Sequence, residues 1–130
     1  LGMRIRRVDG RSIKPGAYPV PIEGPNGVLL GAQKRHNWRP AHLHFLIFKP
    51  GFKTIASQVY TNDDPYLETD SQFGVTKALI GHYVKHEREP APAPGVEGTW
   101  WSLEHVFVVE PGEARLPQAP ISKKVEAPAS

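Results

Sequence analysis

The sequence predicts a mostly β chain, an antiparallel β-sandwich, and three observations carry that reading. Gly 12 and Pro 14 are spread along the 130 residues, which favours many short elements joined by turns over a helical bundle. Runs that alternate apolar and polar residues recur, and two of them flank Lys49-Pro50-Gly51, the punctuation of a hairpin. The length suits one domain on one core. Lys+Arg 16 against Asp+Glu 13 leaves +3, thin cover for a nucleic-acid groove, and no apolar stretch is long enough to span a bilayer. With Cys 0 there is no disulfide, zinc-thiolate site or thiol nucleophile, so any metal must be held by nitrogen and oxygen.

Taken in order, Met3-Arg4-Ile5-Arg6-Arg7-Val8 alternates like a half-buried strand and is followed by turns at Asp9-Gly10 and Lys14-Pro15-Gly16. No apolar segment of the signal-peptide kind stands there, so a cytoplasmic location is the default. The only Met is residue 3, inside that run, and the chain is therefore expected to begin within a longer protein. Proline chemistry extends Tyr18-Pro19-Val20-Pro21. Glu23-Gly24-Pro25-Asn26-Gly27 reads as a turn before the short apolar run Val28-Leu29-Leu30. The strongest strand is 41–48, and 54–60 is its returning partner. Asp63, Asp64, Glu68 and Asp70 lie in an acidic loop. Residues 73–86 are ambiguous: Phe73, Val75, Ala78, Leu79 and Tyr83 would line a helix that Gly74 and Gly81 weaken. A proline-rich connector, 89–95, leads to a strand over 99–110. The expected organisation is a β-sandwich over 1–113 and a proline-rich tail over 114–130.

The sharpest chemical feature is Arg39-Pro40-Ala41-His42-Leu43-His44. Residues i and i+2 of a strand share a face, so His42 and His44 suit one metal ion, or equally two core histidines bonded to backbone. In a hairpin centred on Gly51, Gln58 falls opposite His44 and shares its face, unless it is simply solvent-facing. Arg39 offers a fixed cationic fork to an anion, or a surface salt bridge. Tyr18 offers a phenolate, a ligand suited to ferric iron, or packs against the sandwich edge. Other candidates are weaker. His82 and His86 have helical i, i+4 spacing but solvated neighbours, and the acidic loop lacks the spacing of a calcium site. Trp100 and Trp101 point to opposite faces of a strand. The basic cluster Arg4, Arg6, Arg7 and Arg11 lacks interleaved exposed aromatics.

Together these residues resemble the C-terminal catalytic part of the intradiol ring-cleavage dioxygenases. The matching segments are Tyr18-Pro19-Val20-Pro21, Gly24-Pro25-Asn26-Gly27, Trp38-Arg39-Pro40-Ala41-His42-Leu43-His44-Phe45, Pro50-Gly51-Phe52, Gln58-Val59-Tyr60, Asp64-Pro65-Tyr66-Leu67-Glu68-Thr69-Asp70 and Phe73-Gly74-Val75. Within the family, the segments from Phe45 to Tyr60 and from Trp100 to Glu113 look most like hydroxyquinol 1,2-dioxygenases.

The resemblance implies a non-haem Fe(III) cofactor with Tyr18, His42 and His44 as ligands. It makes Arg39, Gln58 and Tyr18 the catalytic residues, and Arg39, Phe73, Gly74 and Val75 the substrate-binding ones. The implied reaction cleaves a catechol-type diol, hydroxyquinol above others, with O2 to a muconate or maleylacetate-type product. The diol binds as a dianion in place of the axial tyrosinate, and the substrate rather than the oxygen is activated. The partners implied are the small-molecule diol and O2, with no nucleic acid and no membrane, and a homodimer for the full-length parent. One departure stands out. The family's second, equatorial tyrosinate lies upstream of the Tyr18 position, and so does its N-terminal helical segment; this chain holds neither. A longer parent, or a three-ligand site inactive by itself, is expected. The alternative from another class is a non-catalytic β-sandwich module whose histidines are core residues or weak metal ligands.

Overall fold

The computed structural model describes residues 7–116, and its seven strands with a single short α-helix bear out the mostly β class. Strand β1 (Tyr18–Pro19) pairs antiparallel with β2 (Trp38–Arg39), with Tyr18 opposite Arg39. Val20 N–H reaches Asn37 O at 2.8 Å and continues that ladder. The next strands are β3 (His42–Ile47), β4 (Ile55–Thr61) and β5 (Ile80–Gly81), and their sheet has the order β3-β4-β5. β4 and β5 run parallel, so the pairing is mixed rather than purely antiparallel. β6 (Tyr83–His86) and β7 (Trp100–Leu103) form an antiparallel pair.

The chain divides into two compact units. Residues 7–43 with Gln58–His105 form one, and His44–Ser57 with residues 106–116 form the other. In the first, Ala41, Val59 and Tyr60 are the fully buried apolar residues, joined by Pro40 and Thr61. Thr61 N–H donates to Ala41 O at 3.0 Å, the pairing expected of a hairpin centred on Gly51. In the second, Phe52 N–H closes a turn on Lys49 O at 3.1 Å. Pro50 occupies its first corner and Gly51, at φ 86°, its second, as a type II turn requires. Phe52 forms an isolated antiparallel bridge with Pro111, and the rings of Phe45 and Phe107 meet at 5.0 Å.

Several elements differ from expectation. Residues 25–32 form helix α1 (Pro25–Ala32) rather than a turn and an apolar run. Pro25 suits the first helical turn, where no N–H is needed. The helix ends in a Schellman cap: Arg35 N–H bonds Leu30 O at 2.9 Å, Lys34 N–H bonds Gly31 O at 3.0 Å, and Lys34 is left-handed at φ 52°. Within 73–86 there is no α-helix. A 3-10 turn (Lys77–Leu79) leads into β5 and β6, because pairing with β4 and β7 supplies the hydrogen bonds a glycine-broken helix would lack. The strand expected over 99–110 is regular only as β7. Of the expected strand at the start, residues 3–6 lie outside the described residues, and Arg7 and Val8 are exposed and not in a strand. The tail expected from residue 114 lies outside them beyond residue 116; before that, Arg115 N–H donates to Thr54 Oγ1 at 3.1 Å. No helix among the described residues is long and apolar enough to cross a membrane.

Candidate active site

Short local rules place three of the expected residues side by side. The β1–β2 ladder sets Tyr18 against Arg39, and Pro40 then steers the chain into β3, whose first residue is His42. His42 is buried, and its Nδ1 lies 2.8 Å from Pro40 O. A carbonyl only accepts, so Nδ1 carries a proton in that bond. His42 Nε2 lies 3.5 Å from Tyr18 Oη. Arg39 Nη1 donates to the same oxygen at 3.5 Å. A phenol oxygen, an imidazole nitrogen and a guanidinium therefore converge, and Tyr18 stays 41% exposed, open to a ligand.

Arg39 is not the surface salt bridge that was one of its readings. It is buried and bonded to buried Asp70, with Nε to Oδ1 at 3.1 Å and Nη2 to Oδ2 at 3.2 Å. Nη2 also donates to Tyr60 Oη at 2.9 Å. The Asp70 hydrogen bond raises the Arg39 pKa above its ordinary value and fixes the positive charge. Burial alone pushes the Asp70 carboxyl up. Hydrogen bonds from Arg39, Gln72 N–H and Gly74 N–H, with the arginine's charge, outweigh it and hold the group below its usual range. Burial raises the Tyr60 phenol despite the neighbouring Arg39 charge, so it stays protonated.

Asp70 also builds the turn that follows it. Its carboxylate accepts Gln72 N–H at 3.1 Å and Gly74 N–H at 2.9 Å, and its carbonyl accepts Phe73 N–H at 3.1 Å. Phe73 is left-handed at φ 53°, a conformation costing roughly 1–2 kcal/mol for a residue with a side chain. The Arg35 guanidinium lies over its ring at 3.8 Å and donates to Asp70 O at 3.0 Å. Gly74 is packed so closely that a Cβ there would lie 2.5 Å from Tyr60 Oη and 3.0 Å from Arg39 Nη2. Val75 and Gln58 are half-buried.

The expected residues are not all gathered here. His44, two positions beyond His42 on β3, is exposed and belongs to the second unit. The acidic loop residues disperse: Asp63 pairs with Lys14, Asp64 accepts Ala41 N–H at 2.9 Å and Tyr66 N–H at 2.8 Å, and Asp70 holds Arg39. They form no cation site. His82 and His86 do not share a helix. His86 sits on β6, stacked on Trp100 at 3.8 Å and bonded to Glu89 and to Ser102 Oγ. Trp100 is half-buried and Trp101 exposed, as opposite faces require. Sequence reasoning missed Asp70 and Tyr60 as partners of Arg39. The only available signal was that two polar residues flank a strand and a glycine in segments already matched to the site.

No three His, Asp or Glu side chains among the described residues cluster as a metal site would need. The donors that do converge are Tyr18 Oη and His42 Nε2, a hard oxygen and a borderline nitrogen. They fit a ferric ion, for which a phenol oxygen and an imidazole nitrogen are both suitable donors.

A family model described as Dioxygenase matches residues 7–102. Hydroxyquinol 1,2-dioxygenase of Rhizobium sp. (strain MTP-10005) is 41% identical over 101 residues, covering 76% of this chain and 34% of that protein. 6-Chlorohydroxyquinol 1,2-dioxygenase of Cupriavidus pinatubonensis is 44% identical over 101 residues, covering 78% and 33%. The crystal structure of hydroxyquinol 1,2-dioxygenase from Pseudomonas putida DLL-E4 superposes with a TM-score of 0.66 at 39% identity, over 75% of this chain and 35% of that one. The expected β-sandwich class agrees with that likeness. The chain spans about a third of the length of the curated relatives it matches.

Proposed function

Because the chain belongs to the intradiol ring-cleavage dioxygenase family, we propose that residues 1–113 carry the catalytic β-domain of an enzyme that opens a catechol-type diol with O2 at a non-haem Fe(III) centre. Hydroxyquinol is the proposed substrate, and the product is of the muconate or maleylacetate type. The convergence of Tyr18 Oη, His42 Nε2 and Arg39 Nη1 is the observation that supports this reading most directly. The names of the relatives support hydroxyquinol over plain catechol.

Tyr18, His42 and His44 are the proposed iron ligands. When bound, ferric iron supplies the Lewis acidity that draws the diol in as a dianion and makes its ring open to O2. The chain's own residues do the rest. Tyr18 would be one of the residues holding the ion, and its Oη is placed to accept one proton from a diol hydroxyl. Arg39 Nη1, a charge that cannot be neutralised, faces negative charge building on the ring, with Gln58 as a neutral dipole for the same task. Phe73, Gly74 and Val75 line the diol pocket in this assignment.

The test is the visible spectrum of the chain loaded with ferric iron, before and after anaerobic addition of hydroxyquinol. A tyrosinate-to-iron band that shifts with the diol is the expected result. A colourless chain that retains no iron would overturn the assignment of Tyr18 and His42 as ligands.

A further inference from the structure

We propose that Asp70 is the positioning residue of this site, one carboxylate that fixes both the direction of Arg39 and the shape of the Phe73–Gly74 segment. The inference rests on the functional reading above and adds a residue to it. Asp70 is 3% exposed, and its two oxygens meet four donors. Arg39 Nε and Gln72 N–H approach Oδ1, and Arg39 Nη2 and Gly74 N–H approach Oδ2, at 2.9–3.2 Å. With Nε committed to Asp70, and Nη2 shared between Asp70 and Tyr60, Nη1 is the guanidinium nitrogen turned towards Tyr18 Oη. A planar fork held at two corners cannot rotate, so the third corner is aimed. The same carboxylate closes the turn whose next residues are assigned to the diol pocket.

Two consequences distinguish Asp70 from Tyr60. Tyr60 bonds the fork, whereas Asp70 bonds both the fork and the turn. In Asp70→Asn, one of the two oxygens becomes an NH2 group, a donor set against donors at whichever position it takes. Either the fork or the turn is released. The arginine's aim therefore governs affinity for any diol, and the turn governs the choice between diols.

The experiment loads the wild-type chain, Asp70→Asn and Tyr60→Phe with ferric iron and titrates each anaerobically with hydroxyquinol and with catechol, reading the visible band. Iron-free samples are read by 15N NMR at Arg39 Nε–H. For Asp70→Asn we expect diol binding about tenfold weaker, a hydroxyquinol-to-catechol preference altered at least about threefold, and loss of the protected Nε–H resonance. Tyr60→Phe should weaken both diols alike, leave their ratio unchanged and keep that resonance. An Asp70→Asn chain that matches wild type in affinity, preference and resonance overturns the inference while leaving the function intact. If Asp70→Asn does not fold, a Tyr60→Phe chain with unchanged affinity overturns the claim that the fork's aim matters. A wild-type chain without a ferric band refutes the functional reading itself, and the iron-free resonance still reports on the fork.

Discussion

Gly74→Ala offers a direct test of how tightly the Arg39 cluster is packed. The new Cβ would lie 2.5 Å from Tyr60 Oη, 3.0 Å from Arg39 Nη2 and 3.2 Å from Asp70 Oδ2. A comfortable contact is about 3.5 Å, so the phenol must retreat by about 1 Å. That retreat breaks the 2.9 Å bond to Arg39. Gly74 does not occupy the left-handed region, so the penalty is steric rather than conformational. Overpacking of this kind costs about 1–3 kcal/mol and the lost hydrogen bond about 1 kcal/mol more, giving about 2–4 kcal/mol together. Urea unfolding followed by tryptophan fluorescence should show a midpoint lower by about 1 M or more, for a slope of about 1–3 kcal/mol/M. In a Tyr60→Phe background the nearest atom is gone, and the alanine should cost about 1–2 kcal/mol less, a coupling typical of residues in contact. An alanine penalty equal in both backgrounds would refute the steric argument.

Three further outcomes are expected. The Asp70 carboxyl is held below its unfolded value, so its contribution to stability is present above about pH 4 and is lost as pH falls through the folded value. The wild-type urea midpoint should fall on acidification below about pH 4, and Asp70→Asn, less stable at neutral pH, should lack that part of the decline; parallel acid limbs would contradict this. His42→Ala should abolish iron retention, whereas Tyr18→Phe should remove the visible band while retaining weaker iron, as metal analysis beside the spectrum would show. Lys34→Gly, at φ 52° in the helix cap, should raise stability by about 0.5–1 kcal/mol, measured by thermal melting.

The sequence announced whatever depends on short spacing. Alternation marked β3 and β4 to within a residue or two, and Lys49-Pro50-Gly51 marked the turn with its left-handed glycine. Helix α1 was hidden because Gly27 and Gly31 depress its propensity, its apolar run spans under one turn, and its cap falls on a lysine rather than a glycine. Tyr18, Arg39 and His42 were legible as residue types in a matched pattern. Asp70 was legible only as one acid among four, because its meaning depends on a partner 31 positions earlier that no local periodicity identifies. The choice between surface and buried for Arg39 was likewise decided by that distant carboxylate.

The bond from His42 to Pro40 links residues two apart in the chain, whereas the Arg39–Asp70 clamp joins residues 31 apart. The imidazole's orientation thus rests on a contact local in the chain, and the arginine's on a distant one. Damage to the Arg39–Asp70 clamp would then leave a site that still captures iron but handles the diol poorly. Loss of colour and loss of selectivity should be separable defects, arising from two different layers of the same few residues.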